Sequence, residues 1–478
     1  MKTRLKIFSF YCCVFITQIG FSQNQANHWA FGDSVGIDFN TSPPSIDTTI
    51  IIASDEPSAS ISDNNGNLLF YVGAAGTNFA TSASFKYVVR NSIDSIMQNG
   101  DSLAGNTSVT QGLLILNDPG DSLKFYIFHS EYQFHYSIVD ISANGGLGNV
   151  VSFNNYLEDS LNEKMHAVKA SNGRDWWVLK QNAYINNFVR YKLDSSGIHG
   201  PHIQTFGINS SYGGSGQMIF SQQGDKLLFT GAGSGGYSTI TDFNRCTGLI
   251  SNEIILDTYN INGNSSGRYG CSFSSTGHYA YLSAFDSLWQ FDLTATNIAA
   301  SKTFIWKTGN NQRIMGQHML APDGKIYIAN EKVDRTYDSL CTYLSVINDP
   351  DSPGLSCNFA PYSFSLNNRT STGSLPNMPN FNLGVLENVN CDSILAGVQE
   401  PEKKYGLRLY PNPGNGLFHF EVTEKIKIQS IEIINLTGAL VFVGKHTAID
   451  LTNFPSGIYF YRVLDQKQHW YYGKIIKE

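Results

Sequence analysis

Charge is scarce in this sequence. Only 15% of its 478 residues are Asp, Glu, Lys or Arg, and the formal net charge is −7. No basic cluster occurs beyond the N-terminus, which argues against nucleic acid and anionic membrane surfaces as main partners. No apolar run is long enough to span a bilayer. The most apolar one, residues 7–16, follows Lys2, Arg4 and Lys6 and precedes the small residues Gly20 and Ser22. That is the layout of a secretory signal peptide, residues 1–22, cut between Ser22 and Gln23. Cysteine is sparse too. Of seven, Cys12 and Cys13 leave with the leader, and no C-x-x-C spacing occurs, which argues against zinc and thioredoxin-type chemistry. An exported chain can form disulfides. The candidate pairs are Cys341 with Cys357, flanking the loop NDPDSPG, and Cys246 with Cys271 on neighbouring repeats. Cys391 is left over, and spacing alone does not fix the connectivity.

Glycine and aromatics are plentiful, with 44 Gly and 13% Phe, Trp and Tyr. This suits strands joined by tight turns. One pattern recurs: a short strand, a turn with Gly, and a strand rich in aromatics. Examples are SISDNNGNLLFYVG (60–73), AVKASNGRDWWVLKQ (167–181) and MLAPDGKIYIANE (319–331). The turn glycines Gly66, Gly120, Gly173, Gly224, Gly277 and Gly324 are spaced by 54, 53, 51, 53 and 47 residues. A period of this size with four strands per repeat predicts an all-β propeller. An open solenoid is the structural rival. The stretch HWAFGDSVGIDF (28–39) lacks an inner partner strand, and GSLPNMPNFNL (373–383) is the expected missing strand. Joining the two gives seven blades, with six as the alternative.

After Cys391 a polar stretch reads as a linker, 391–404. Residues 405–478 then contain alternating strands bounded by Gly, Pro and Asn, which predicts a small β-sandwich. Within it, YPNP (Tyr410, Pro411, Asn412, Pro413) with Gly416 is followed by IINLTGALV with Gly438. DLTNFPSGIYFYRV, with Gly457 and Tyr459, comes next, and then GKIIKE with Lys474. This order resembles the C-terminal sorting domain of type IX secretion, a Bacteroidetes export system. The resemblance implies passage to the periplasm and recognition by the type IX translocon. It further implies that the cargo ends on the cell surface or released. The body, 23–390, resembles secreted propellers that precede such domains, and that likeness carries no activity.

The search for chemistry yields weak candidates. Trp176 and Trp177 could stack on a glycan if one indole were exposed, but adjacent strand residues face opposite sides, and both faces of a blade are packed. His166 and His318 occupy corresponding inner-strand positions and could form a polar site. His129, Glu131 and His135 alternate along one strand but lack the helical HExxH spacing. The DNNGN turn has too few carboxylates for a calcium loop. GGSGQ is not a nucleophile elbow, and GAGSGGY falls between strands rather than before a helix. No carboxylate pair stands out for glycosidase work. Asp-Ser followed by Val, Ile or Leu occurs eight times, with serines 34, 95, 102, 122, 160, 287, 339 and 393. The plain reading is a turn entering a strand. The tripeptide also resembles the Bacteroidetes O-glycosylation acceptor. These features predict no catalytic residue, cofactor or metal, and a non-catalytic binding or adhesion module facing a glycan or protein ligand. The alternative is an extracellular polysaccharide hydrolase or lyase.

Overall fold

The structure, a computed structural model, describes residues 24–74, 86–130, 133–159, 161–182, 187–207, 214–231, 236–258, 268–284, 286–309, 313–332, 334, 336, 338–387, 391, 407–422, 427–435, 439–466 and 470–478. The signal peptide with Ser22 and Gln23, residues 392–404 of the linker, Glu131 and Gly438 lie outside this set. The chain divides into two units, Met1–Cys391 and Asp392–Glu478.

Among the described residues, the first unit contains six four-stranded antiparallel sheets and one three-stranded sheet, each with its strands in consecutive order. The first strands of the six are Ala59–Ser62, Leu113–Asn117, Leu161–Lys169, Met218–Phe220, Arg268–Phe273 and Arg313–Leu320. Successive first strands touch one another, so they line a common centre. The turns after them follow the sequence pattern. In the first, the Asp63 carboxylate accepts from the Asn65 and Asn67 amides at 2.8 Å each, and Gly66 takes φ +89°. Apolar side chains fill the space between sheets, including Phe70, Phe125, Phe128, Phe134, Trp176 and Tyr191, all buried.

The three-stranded sheet, His28–Phe31, Val35–Asp38 and Ser45–Asp47, meets the last four-stranded one. Trp29 packs edge-on against Tyr327 with ring centres 5.7 Å apart, and Phe39 meets the same ring at 5.6 Å. Arg369 donates to the carbonyls of Ser34 and Thr48. The two ends of the repeat array are thus joined. The body is a β-propeller, and the open solenoid is excluded.

The expected closing strand differs from expectation. Residues 373–383 form no strand. They run along the inner side of the ring, with the Gln317 amide donating to the Gly373 carbonyl at 3.0 Å and the Asn377 amide to the Ser58 carbonyl at 2.9 Å. Pro376 and Pro379 have no N–H, so a continuous ladder along this stretch is impossible.

The disulfides also differ. Cys246 is bonded to Cys391, while Cys271, Cys341 and Cys357 are buried free thiols. Cys341 and Cys357 sit at opposite ends of the hairpin formed by Tyr343–Ile347 and Phe359–Ser365. Cys271 is in an inner strand with its thiol 3.5 Å from the Gln217 carbonyl, whereas Cys246 lies in the turn between strands Tyr237–Asn244 and Leu249–Thr258.

Among the described residues, the second unit is a β-sandwich of a three-stranded and a four-stranded sheet. Phe418, Phe420, Ile431, Ile433, Tyr459, Val463 and Ile475 are buried between them.

Candidate functional site

The centre of the propeller is closed by side chains. Three glutamines, Gln111, Gln217 and Gln317, stand 106 and 100 residues apart, about two repeats each time. The Gln111 amide group donates to the Met218 carbonyl at 2.9 Å and accepts from the Met218 N–H at 2.7 Å. Gln217 treats His318 the same way, at 2.7 and 3.0 Å, and also accepts from the Cys271 N–H. Gln317 donates to the Thr110 carbonyl at 2.5 Å and accepts from the Leu375 N–H. Gln111 and Gln217 each reach past one sheet to the next but one, and Gln317 reaches past two, beyond the three-stranded sheet, to Thr110. Glycines make room: a Cβ on Gly316 would lie 2.0 Å from the Gly373 carbonyl oxygen, and one on Gly270 2.0 Å from that of Gly316.

One layer nearer the N-terminal ends of the inner strands lies a second set of polar groups. The Thr110 N–H and hydroxyl donate to one Glu163 carboxylate oxygen at 3.1 and 2.7 Å. The Tyr269 hydroxyl donates to Glu56 at 2.8 Å and lies 3.4 Å from the Thr110 hydroxyl. Glu56, Glu163 and Tyr269 are half-buried, and Thr110 is buried. Burial, reinforced by the Glu56 charge, holds the Tyr269 phenol well above its ordinary range. Two buried lysines flank the layer. Lys164 donates to the Gly214 and Ser215 carbonyls at 3.0 Å each, and Lys180 donates to the Ser130 hydroxyl at 2.8 Å. Burial lowers the Lys164 ammonium to about 8 and that of Lys180 to about 7, with attraction to Glu163 opposing both. This mouth therefore presents carboxylates already engaged by hydroxyls, above a plugged channel. It can accept further hydrogen bonds from a hydroxylated ligand.

None of the four weak candidates reaches this mouth. Trp176 and Trp177 are 0% and 6% exposed. Trp176 packs against Phe381, and the Trp177 N–H donates to the Arg245 carbonyl. Stacking on a glycan is therefore closed to both. His166 and His318 are buried in the channel wall. Burial lowers them to about 4 and about 3, so both are neutral at physiological pH. A backbone hydrogen bond to Met378 partly offsets the shift at His166, and the His318 ring lies 3.2 Å from the Ser272 hydroxyl. His129 and His135 are cross-strand neighbours, stacked at 5.6 Å and buried. Of the described Asp-Ser serines, Ser95, Ser102, Ser122 and Ser339 are exposed, whereas Ser34 is half-buried and Ser287 buried. The aspartates do turn chemistry: Asp121 accepts from the Leu123 N–H and Asp338 from that of Leu340.

The mouth was not visible in the sequence because its members come from four separate repeats. The signal that could have found the layer beneath it is the recurrence of Gly-Gln, at 216–217 and 316–317, with the inverted Gln-Gly at 111–112.

In the second unit, the loop after strand Leu407–Tyr410 reads the last strand. The Asn412 side chain donates to the Lys474 carbonyl and accepts from the Ile476 N–H, both at 2.8 Å. The Gly414 N–H donates to the Ile476 carbonyl at 3.0 Å. Gly416, at φ +108°, accepts from the Leu451 N–H through its carbonyl. The Tyr459 hydroxyl donates to the Pro455 carbonyl, and its residue pairs with Ile475. Motif residues more than sixty positions apart thus fasten the two ends of one sandwich. Residues 408–478 match the family described as the secretion system C-terminal sorting domain. The chain ends in a type IX secretion sorting domain. The protein is accordingly handled by the type IX secretion machinery and exported to the cell surface or beyond it. Among the described residues no helix is long and apolar enough to cross a membrane.

None of the curated proteins compared with the chain matches it significantly. Solved structures similar to it include a periplasmic gluconolactonase from Pseudomonas aeruginosa, with 10% identity over 80% of this chain and 97% of that one, at a TM-score of 0.39. A quinonprotein alcohol dehydrogenase-like protein from Bacteroides thetaiotaomicron shares 11% identity over 68% and 73%, at 0.40. A β-propeller domain from Myceliophteria thermophila shares 10% over 65% and 95%, at 0.39. At such identities none of their activities extends to this chain.

Proposed function

We propose that the exported propeller is a non-catalytic binding module, and that the mouth formed by Glu56, Thr110, Glu163 and Tyr269 is where it holds a hydroxyl-rich ligand such as a glycan. The observation that carries this reading is the mutual engagement of these groups above a closed channel. A carboxylate fixed in place by a hydroxyl still has acceptor sites to offer to the hydroxyls of a sugar. Here Glu163 is held by Thr110 and Glu56 by Tyr269, while the lysine amines donate to protein oxygens. In this reading the leader 1–22 is removed, 23–390 is the working body, 391–404 joins it to the address, and 405–478 is the address.

The test is calorimetric titration of the secreted protein against a panel of polysaccharides and oligosaccharides, with chromatography of the same mixtures. Binding weakened at least tenfold by Glu163→Gln and Tyr269→Phe, with no new products, is the expected result. Release of shorter sugars would overturn it. One observation favours the second reading, a polysaccharide hydrolase or lyase: Lys180, brought to about 7, is an amine half-neutral near physiological pH. Product release abolished by Glu163→Gln or Lys180→Met would support that reading instead.

A further inference from the structure

Residues 370–387 cross the propeller from one end to the other. At the mouth, the Thr370 carbonyl accepts from the Asp33 N–H and the Gly373 carbonyl from the Gln317 N–H. In the middle, Asn377 spans the channel. Its side chain donates to the carbonyls of Leu113 and Met165, at 3.0 and 2.9 Å, and accepts from Gln111. Ser371, Ser374, Leu375, Asn377, Met378 and Phe381 are all buried. At the far end, Asn380 donates to the Gln222 carbonyl and the Leu386 N–H to that of Ser171. Gln222 and Ser171 belong to the turns that follow inner strands. The segment therefore leaves at the end opposite the mouth.

At that exit two neighbouring residues hold it. The Arg245 guanidinium donates to the Gly384 carbonyl while also gripping the carbonyls of Lys169 and Ala170. Cys246 is bonded to Cys391, with Cα atoms 5.4 Å apart. Between its ends the segment has two prolines and no ladder, so its hold on the ring is a series of single hydrogen bonds rather than a cooperative strand pairing. The chain beyond Cys391 leads to the sorting domain, the part that the export machinery handles.

We propose that residues 370–387 are a strap through the ring and that the Cys246–Cys391 bond is its lock. A displacement arising on the sorting-domain side stops at Cys391 and is carried by the Tyr237–Thr258 hairpin, so the ring stays closed and the mouth keeps its floor. The proposal does not depend on what the mouth binds.

Hydrogen exchange of the full-length oxidised protein tests it, read by mass spectrometry with and without a phosphine reductant under native conditions. Thiol counting verifies that the bond is cut. Exchange at Leu375, Asn377 and Leu386 is expected to rise at least tenfold on reduction. The inner strand Leu161–Lys169 is expected to change less than twofold. Cys391→Ser should reproduce the effect; if that variant fails to fold, the reduced wild-type protein carries the test. Arg245→Ala with the disulfide intact should change the strap less than threefold. Unchanged strap exchange after verified reduction would overturn the proposal. So would opening by Arg245→Ala as large as that by reduction.

Discussion

At the scale of single residues, the interior holds three histidines in their neutral form. His129, His166 and His318 are brought by burial to about 3, 4 and 3, below the ordinary value near 6.5. For a base whose folded value is depressed, the unfolded chain binds the extra proton. Stability is then present above about pH 6.5 and is lost as pH falls toward the folded values. Each histidine accounts for roughly 3 to 5 kcal/mol across that window. Thermal unfolding should therefore show the midpoint falling steadily from pH 7 to pH 4, and His318→Gln should flatten part of that slope. An unchanged slope in this variant would remove His318 from the account. Residue identities alone did not reveal these roles. His166 and His318 were visible as corresponding positions, but whether a histidine faces a mouth or a wall depends on what fills the channel. The three glutamines were harder still, because each bonds to a sheet two or three repeats away.

At the scale of elements, the repeat was legible because the turn after each inner strand needs a specific backbone. Five of the six turn glycines, all but Gly120, have positive φ, and their spacing marks the sheets in order. Their surroundings were not legible. Gly324 has φ +79° with open space around it, whereas Gly173, at φ +67°, has the Val385 amide nitrogen 2.6 Å from where a Cβ would stand. Alanine at either position strains the backbone by about 1 kcal/mol. Gly173→Ala must in addition push the strap aside. Urea unfolding should show Gly173→Ala costing at least about 1 kcal/mol more than Gly324→Ala, and equal losses would argue that the strap does not press on this turn. The strap's place in the ring predicts a strand. Its prolines, present in the sequence, explain why it is not one. The cysteine pairing was hidden for a related reason: Cys391 reaches Cys246 only after the strap has crossed the ring.

At the scale of the whole molecule, the two units divide the work. The sorting domain was the most legible part, since its YPNP loop and its last strand bond to each other and so constrain both ends of the motif together. The body gave its architecture but not its ligand, because the mouth is assembled from Glu56, Thr110, Glu163 and Tyr269, each from a different repeat. A ring closed by its own strap and disulfide should stand without the address that follows it. The most direct measurement is the location of a chain ending at Lys404, produced in a host with type IX secretion and followed by fractionation, protease protection and non-reducing electrophoresis. The account predicts a folded, disulfide-bonded body retained in the periplasm and absent from the cell surface. Normal surface display of that truncated chain would contradict it.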